Sequence, residues 1–208
     1  MLHSFKPVPP LSSGRKNCYG LDMLDSQGQI LVRIARETVD EALGGPRVSI
    51  PGEAWLKEAA ATFVTIARNG MLHGCIGSLE PHRPLWKDVQ KNALAAAFED
   101  PRAGSLVHAD MADLLFEVSL LSPRSPIHFS GEEDAIQKLR PNIDGVLLTW
   151  THYRGVFLPQ VWERIEGPRE FLQHLKIKAG LPTHFWAPDV KLERFTVQEW
   201  HEPGFSLG

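Results

Sequence analysis

The stretch that decides the fold reads Arg68-Asn69-Gly70-Met71-Leu72-His73-Gly74-Cys75-Ile76-Gly77-Ser78-Leu79-Glu80-Pro81. The residues just before it, 62–67, are mostly β-branched, aromatic or apolar, which predicts a strand. Asn69 and Gly70 supply the two positive-φ positions that a tight hairpin turn needs. Residues 71–77 are therefore expected to return as a second strand beside the first.

Cys75 is the strongest chemical lead in this hairpin. Side chains two apart on a strand face the same way, so His73 and Cys75 are expected to share a face. Gly74 and Gly77 carry no side chain and are expected to leave the backbone around the thiol open to another group. The alternative is a small buried hydrophobe, with glycines that mark only a bulge or close packing.

Composition excludes several classes of protein. The 208 residues are 43% hydrophobic and 23% charged with a net charge of −3, so no global basic field recruits nucleic acid or an anionic membrane. We find no signal peptide and no apolar run of about 18 residues. The two cysteines, Cys18 and Cys75, lie far apart, so we expect a cytoplasmic protein with reduced thiols, in which Cys18 is incidental.

Short strands and hairpins alternate with helices, without regular βαβ order, which predicts an α+β fold with mixed or antiparallel sheets. The predicted elements after the first hairpin are a helix that starts at Pro84 and ends at Glu99-Asp100-Pro101, a strand over 114–121, a helix from Ser130 to Arg140, a hairpin over 146–158, a helix from Glu170 to Ala179 and a strand from Arg194 to Trp200. Before the hairpin, Ser26 is predicted to cap a helix that ends at Gly44. Residues 1–23 are expected to form an extended arm, 24–202 one domain, and 203–208 a tail.

Glu117 is the notable residue of the strand over 114–121. It shares a strand face with Ser119, and a carboxylate in so apolar a run must face solvent or find a partner. It is therefore either an edge-strand glutamate or a partner of the thiol site. The common nucleotide-binding and hydrolase motifs are absent from the sequence.

Eight ordered blocks resemble the AMMECR family, whose prokaryotic members are called AmmeMemoRadiSam system protein A. They span roughly residues 24–200 and are Leu72-His73-Gly74-Cys75-Ile76-Gly77, Asp100-Pro101-Arg102, Phe116-Glu117-Val118-Ser119, Gly145-Val146-Leu147-Leu148, Arg154-Gly155-Val156-Phe157-Leu158-Pro159-Gln160-Val161-Trp162, Phe171-Leu172, Lys178-Ala179-Gly180-Leu181 and Arg194-Phe195.

The resemblance implies an α+β domain with a larger and a smaller lobe, and a cleft near the cysteine motif. It also implies association with a Memo-like protein and a radical SAM protein, while the family's activity has no settled assignment. The chain departs from the family at His73, where the family places Arg. Unlike Arg, a histidine carries charge only while protonated, but it can also accept a proton.

Three functions follow from these residues. The first is an enzyme acting on a small molecule or modified nucleobase, with Cys75 as nucleophile, His73 and Glu117 as catalytic partners, and a binding set of Gly74, Gly77, Arg154 and Gln160. We expect no cofactor.

The second function is a partner-binding module, in which the tryptophans belong either to the core or to an interface. These are Trp86, Trp150, Trp162 and Trp186. The third is a metal site; its candidate ligands are His73, Cys75 and either His82 or His152.

Overall fold

The computed structural model describes residues 23–207, so Cys18 and all but the last residue of the expected N-terminal arm lie outside the described residues. The helices are α1 (Met23–Ala42), α2 (Leu85–Phe98), α3 (Glu132–Lys138) and α4 (Pro168–Lys178). The strands are β1 (Ala59–Arg68), β2 (Met71–Gly77), β3 (Arg83–Pro84), β4 (Leu114–Leu121), β5 (Ser125–Pro126), β6 (Gly145–Trp150), β7 (Tyr153–Phe157), β8 (Lys191–Phe195) and β9 (Val197–His201). The predicted α+β class is confirmed.

The chain divides into two compact units. Unit 1 comprises the chain up to Leu121 and the segment from Gln198 onward, and unit 2 comprises Ser122–Val197. Unit 2 is therefore an insertion in the sequence of unit 1. No helix among residues 23–207 is long and apolar enough to cross a membrane.

The sheet of unit 1 is built on the predicted hairpin. Its strand order is β2-β1-β4-β9, and β3 pairs with the start of β1. The turn between β1 and β2 has φ 52° at Asn69 and φ 75° at Gly70, which confirms the Asn-Gly prediction. The ladder shifts register between Ile66 and Ala67, because Ile66 pairs with Gly74 while Ala67 pairs with Leu72. His73 is the extra residue of this β-bulge.

Helices α1 and α2 contribute the apolar side chains that bury one face of this sheet. The core includes Val64, Ile66, Phe116 and Val118 from the strands and Ile34, Val89 and Ala93 from the helices, each 0% exposed. α1 begins at Met23, so the prediction that Ser26 caps it is wrong. Ser26 matches a capping box in sequence, but the helical backbone already exists before it.

Unit 2 holds the second predicted hairpin. Its sheet has the order β5-β8-β6-β7, and Thr151 takes φ 51° in the turn between β6 and β7. α3 and α4 supply core residues, among them Phe171, which stacks on Trp162 with ring centroids 3.8 Å apart. α3 starts after Gly131 and ends at Lys138, slightly inside the predicted bounds.

The single strand predicted from Arg194 to Trp200 is wrong, because the chain forms two strands there. β8 pairs with β5 and β6, whereas β9 pairs with β4. The break falls at Thr196, whose backbone N–H donates to the Ser122 hydroxyl and whose carbonyl accepts from the Ser122 N–H, both at 2.9 Å. The alternating pattern continues through the break, so periodicity alone cannot reveal the change of sheet.

Candidate active site around Cys75

Three polar side chains form a row across the sheet of unit 1. Thr65 in β1 pairs with Cys75 in β2 on one side and with Glu117 in β4 on the other. Their side chains lie on the face opposite Val64 and Ile66, which point into the core. Cys75 and Glu117 are half-buried and Thr65 is buried, so the row is partly shielded from water. The structure thus places Glu117 in the same cluster as the thiol.

The Cys75 thiol is a hydrogen-bond acceptor. The Thr65 hydroxyl donates to its sulfur at 3.3 Å. Burial raises the pKa of the thiol above its ordinary value, and the nearby Glu117 and Asp100 carboxylates add to that rise. The Thr65 hydrogen bond and the Arg102 charge lower the pKa without cancelling the effect of burial. The thiol is therefore protonated at neutral pH and needs a base to become nucleophilic.

Glu117 has the properties of such a base. Burial raises the pKa of its carboxyl, and the negative charge of Glu199 raises it further. The charge of His201 and a hydrogen bond with the Thr65 side chain lower the pKa again, but the net shift remains upward. A carboxyl group with a raised pKa accepts a proton more readily than an ordinary glutamate does.

Asp100 fixes the backbone at Cys75. This carboxylate, 1% exposed, accepts from the Cys75 N–H at 2.8 Å and from Nε and Nη2 of Arg102 at 2.9 and 2.7 Å. The Arg102 hydrogen bonds hold the pKa of Asp100 well below its usual range. The guanidinium of Arg102 is 56% exposed and is a positive charge that acts on the thiol. The block Asp100-Pro101-Arg102 is part of the family resemblance, but no pattern in the sequence indicates that Asp100 and Arg102 act on Cys75.

His73 does not share a face with Cys75, so that prediction is wrong. Its Nε2 lies 3.1 Å from the carbonyl oxygen of Ala97 in α2, and the residue is only 6% exposed. The bulge is the physical reason, because one extra residue in β2 reverses the alternation between His73 and Cys75. His73 connects β2 to α2 and does not contact the thiol.

Gly74 and Gly77 do not leave an opening, which corrects the second expectation. A Cβ on Gly74 would lie 2.0 Å from the carbonyl oxygen of Ala96, and a Cβ on Gly77 would lie 2.2 Å from the Phe63 ring. Both glycines therefore allow protein groups to approach β2 closely. Their role as a binding set is not supported by this packing.

The remaining candidates are not among the groups that act on the thiol. Arg154 and Gln160 are exposed residues of unit 2, whereas the groups described above that act on the thiol belong to unit 1. His82 is exposed beside Glu80, and His152 packs on the Tyr153 ring in unit 2. In the described part of the chain, residues 23–207, no group of three or more His, Cys, Asp or Glu residues could hold a metal ion.

These observations define an α+β protein with a shielded thiol, hydroxyl and carboxyl aligned across one sheet. The chain belongs to the AMMECR1 family, whose model matches residues 32–200. A protein of Methanothermobacter thermautotrophicus is 34% identical over 187 residues, covering 86% of this chain and 95% of that protein. A protein of Pyrococcus furiosus is 35% identical, covering 86% of this chain and 89% of that protein.

A solved structure supports the fold. The crystal structure of an uncharacterized protein from Pyrococcus horikoshii matches with a TM-score of 0.73 and 33% identity. The match covers 86% of this chain and 93% of that chain. The resemblance seen in the sequence is therefore confirmed at the level of family and fold.

Proposed function

We propose that this AMMECR1-family protein is a thiol-dependent enzyme that acts on a small molecule or a modified nucleobase. Cys75 is the nucleophile and Glu117 is the base that accepts its proton. The observation that supports the proposal is the row of Cys75, Thr65 and Glu117. In this row a half-buried thiol is hydrogen-bonded and shares a face of the sheet with a carboxyl of raised pKa.

The chemistry follows from covalent catalysis. Glu117 takes the thiol proton, and the thiolate forms a bond to an electrophilic carbon of the substrate. The leaving group departs with the electron pair of its bond and receives the proton from Glu117. Arg102 lies where its charge stabilises the thiolate, and Asp100 holds both Arg102 and the Cys75 N–H in place.

Iodoacetamide labelling of the native protein between pH 5 and 9 tests this proposal. The modified fraction of each cysteine is read separately by peptide mass spectrometry, and Cys75→Ser controls for labelling elsewhere. We expect Cys75 to react in the folded state and faster at pH 9 than at pH 5, since the thiolate is the reactive form. A Cys75 that reacts only after denaturation would contradict the proposal.

The proposal includes cooperation with a Memo-like protein and a radical SAM protein, which the family resemblance implies. Pull-down of either protein by the full chain tests this part. If the alternative function of a non-catalytic partner-binding module is correct, Cys75→Ala will retain both the partner and the activity of the combined system. If the enzyme proposal is correct, Cys75→Ala will retain the partner and lose the activity.

One observation favours the binding module. Trp162 is buried in the core, but Trp86, Trp150 and Trp186 are only partly buried. Trp150 lies in an aromatic group of unit 2, with its ring centroid 4.4 Å from that of Phe185 and 5.6 Å from that of Tyr153. Partly exposed tryptophan and tyrosine are enriched at protein interfaces. Trp150→Ala should then abolish the pull-down while Cys75→Ala leaves it intact.

A further inference from the structure

The hydroxyl of Thr65 occupies the middle of the row. Thr65 is only 7% exposed and lies on β1, an inner strand of the sheet of unit 1. Its cross-strand neighbours are Cys75 and Glu117. Side chains directly opposite each other on antiparallel strands have Cβ atoms about 5 Å apart, so a hydroxyl between them can reach both. The nearest residues of β1 on the same face, Phe63 and Ala67, have no polar side-chain group.

A threonine hydroxyl has one hydrogen to donate and two lone pairs to accept. It can therefore donate either to the sulfur of Cys75 or to the carboxylate of Glu117, but not to both at once. When the hydroxyl donates to the sulfur, it can accept a hydrogen bond from the O–H of a protonated Glu117. When it donates to the Glu117 carboxylate, it can accept a hydrogen bond from the thiol S–H. These two arrangements correspond to two placements of one proton.

We propose that Thr65 is a positioning residue that passes the proton of Cys75 to Glu117. The inference deepens the proposed function and rests on it. The S–H proton moves to Oγ1 of Thr65 while the Thr65 hydroxyl proton moves to a carboxylate oxygen of Glu117. The products are a thiolate, an intact threonine hydroxyl that donates to the sulfur, and a neutral carboxyl. One S–H bond breaks and one carboxyl O–H bond forms, with no change in oxidation state.

Other charged groups also act on the row. Asp100 and Arg102 follow α2 and act on the thiol, while Glu199 and His201 lie on β9 and act on Glu117. Because Cys75 and Glu117 share one proton, their titrations are coupled. Between the two macroscopic titrations, a constant fraction of molecules holds the thiolate with a neutral Glu117. Labelling of Cys75 then has a component that does not change with pH.

The shape of the labelling profile tests the relay. The full-length protein is labelled with iodoacetamide from pH 5 to 9, and the rate at Cys75 is read by peptide mass spectrometry. In wild type and Thr65→Ser, which keeps the hydroxyl, we expect a flat region at low pH before the rate rises. In Glu117→Gln, the rate should fall tenfold per pH unit without a flat region, because the second site for the proton is gone. In Thr65→Val the flat region should remain at a lower level, because the hydroxyl no longer stabilises the thiolate by a hydrogen bond. At pH 6 we expect Thr65→Val to react about tenfold more slowly than wild type, the effect of losing a hydrogen bond to a charged group.

Two further variants make the test decisive. The double variant Thr65→Val/Glu117→Gln should have the same profile shape as Glu117→Gln, since neither variant retains the carboxyl that accepts the proton. If Thr65→Val fails to fold, Thr65→Ala removes the hydroxyl without adding an atom and carries the same test. A wild-type rate that falls tenfold per pH unit down to pH 5, or a flat region in Thr65→Val at the wild-type level, overturns the role of Thr65 while the nucleophile stands. A native Cys75 that never reacts overturns the proposed function itself.

Discussion

Gly74 shows how a single missing side chain fixes the position of β2. A Cβ at this residue would meet the backbone oxygen of Ala96 at 2.0 Å, and a backbone atom of a helix cannot move aside as a flexible side chain can. We expect Gly74→Ala to lower the free energy of unfolding by about 3 kcal/mol, at the upper end of the range for overpacking.

Urea denaturation of Gly74→Ala and of a matched control measures this effect. Gly104→Ala is the control, because a Cβ there meets no atom within 4 Å and its φ is not in the left-handed region. The control should stay within about 0.5 kcal/mol of wild type. Equal stability of the two variants would show that β2 and α2 can move apart at Gly74 without a cost in stability.

Glu117 should make stability depend on pH in a defined direction. Burial and Glu199 raise the pKa of this carboxyl in the folded state above the unfolded value of about 4.3. Its contribution to stability is therefore full below that value and is lost as the pH rises through the folded pKa. Replacing it with a neutral side chain removes this loss.

The Glu117→Gln variant tests that direction. Its melting temperature should exceed that of wild type at pH 8, and the difference should vanish near pH 4. Glu99→Gln, at an exposed carboxylate of the same unit, is the control, and its melting temperature should differ little from that of wild type at either pH. A Glu117→Gln variant that is less stable than wild type at pH 8 would show that the ionised carboxylate stabilises the fold.

At the scale of elements, local patterns predicted most of what formed. The Asn69-Gly70 hairpin, the bounds of β4 and the helices α2 and α4 follow from turn chemistry and apolar periodicity. The site was harder, because a two-residue turn in ideal register would place Thr65 opposite Gly74. The bulge moves Thr65 opposite Cys75 and directs the two faces of β2 differently on either side of His73. The apolar periodicity of the sequence does not indicate that His73 is an extra residue in β2.

Long-range contacts account for the other gaps. Asp100 and Arg102 lie 25 and 27 positions beyond Cys75 along the chain, and their contact with β2 depends on how α2 packs. A charge in an apolar strand needs solvent or a partner, which singles out Glu117 but leaves both alternatives open, and the pairing of β4 with β1 is what brings it beside Thr65. The partner itself, Thr65, looked like an ordinary strand residue.

Asp88 anchors α2 to β1, and its loss should be costly. The carboxylate is fully buried and accepts from the Thr62 N–H at 2.8 Å and the Thr62 hydroxyl at 2.7 Å. Ser78, Asn92 and the Arg83 guanidinium bind it as well. Asp88→Ala leaves these donors without their acceptor, so we expect it to reduce the free energy of unfolding by about 4 kcal/mol.

Guanidinium denaturation of Asp88→Ala measures this loss. Lys91→Ala, at an exposed position of the same helix, is the control and should change the free energy of unfolding by no more than about 0.5 kcal/mol. A comparable loss in both variants would show that the buried hydrogen bonds of Asp88 are not its cause, since alanine favours the helix at both positions.

At the scale of the whole molecule, the chain leaves unit 1 after Leu121 and returns to it at Gln198. The returning segment is held by more than strand pairing. Glu202 forms an ion pair with Arg36 of α1, with one of the contacts at 2.8 Å, and accepts from the Phe116 N–H at 3.0 Å. Arg36 also donates to the Met111 carbonyl at 3.1 Å. The end of the chain is thereby fastened to a helix near its beginning.

Glu202→Ala should therefore weaken unit 1 selectively. The variant removes an acceptor from Arg36 and from Phe116 while the sequence of unit 2 is unchanged, and we expect a loss of about 2 kcal/mol, the scale of hydrogen bonds to a charged group. Native-state hydrogen exchange resolves where the loss falls, because it reports the opening of each element separately. Protection should decrease in α1 and β4 and stay at the wild-type level in β6 and β8.

Glu133→Ala, which removes an exposed ion pair with Arg169 in unit 2, is the control and should leave both units unchanged. An equal decrease of protection in β4 and β6 of Glu202→Ala would contradict this expectation. It would mean that the two units open as one cooperative structure, so that the stability of unit 2 depends on that of unit 1.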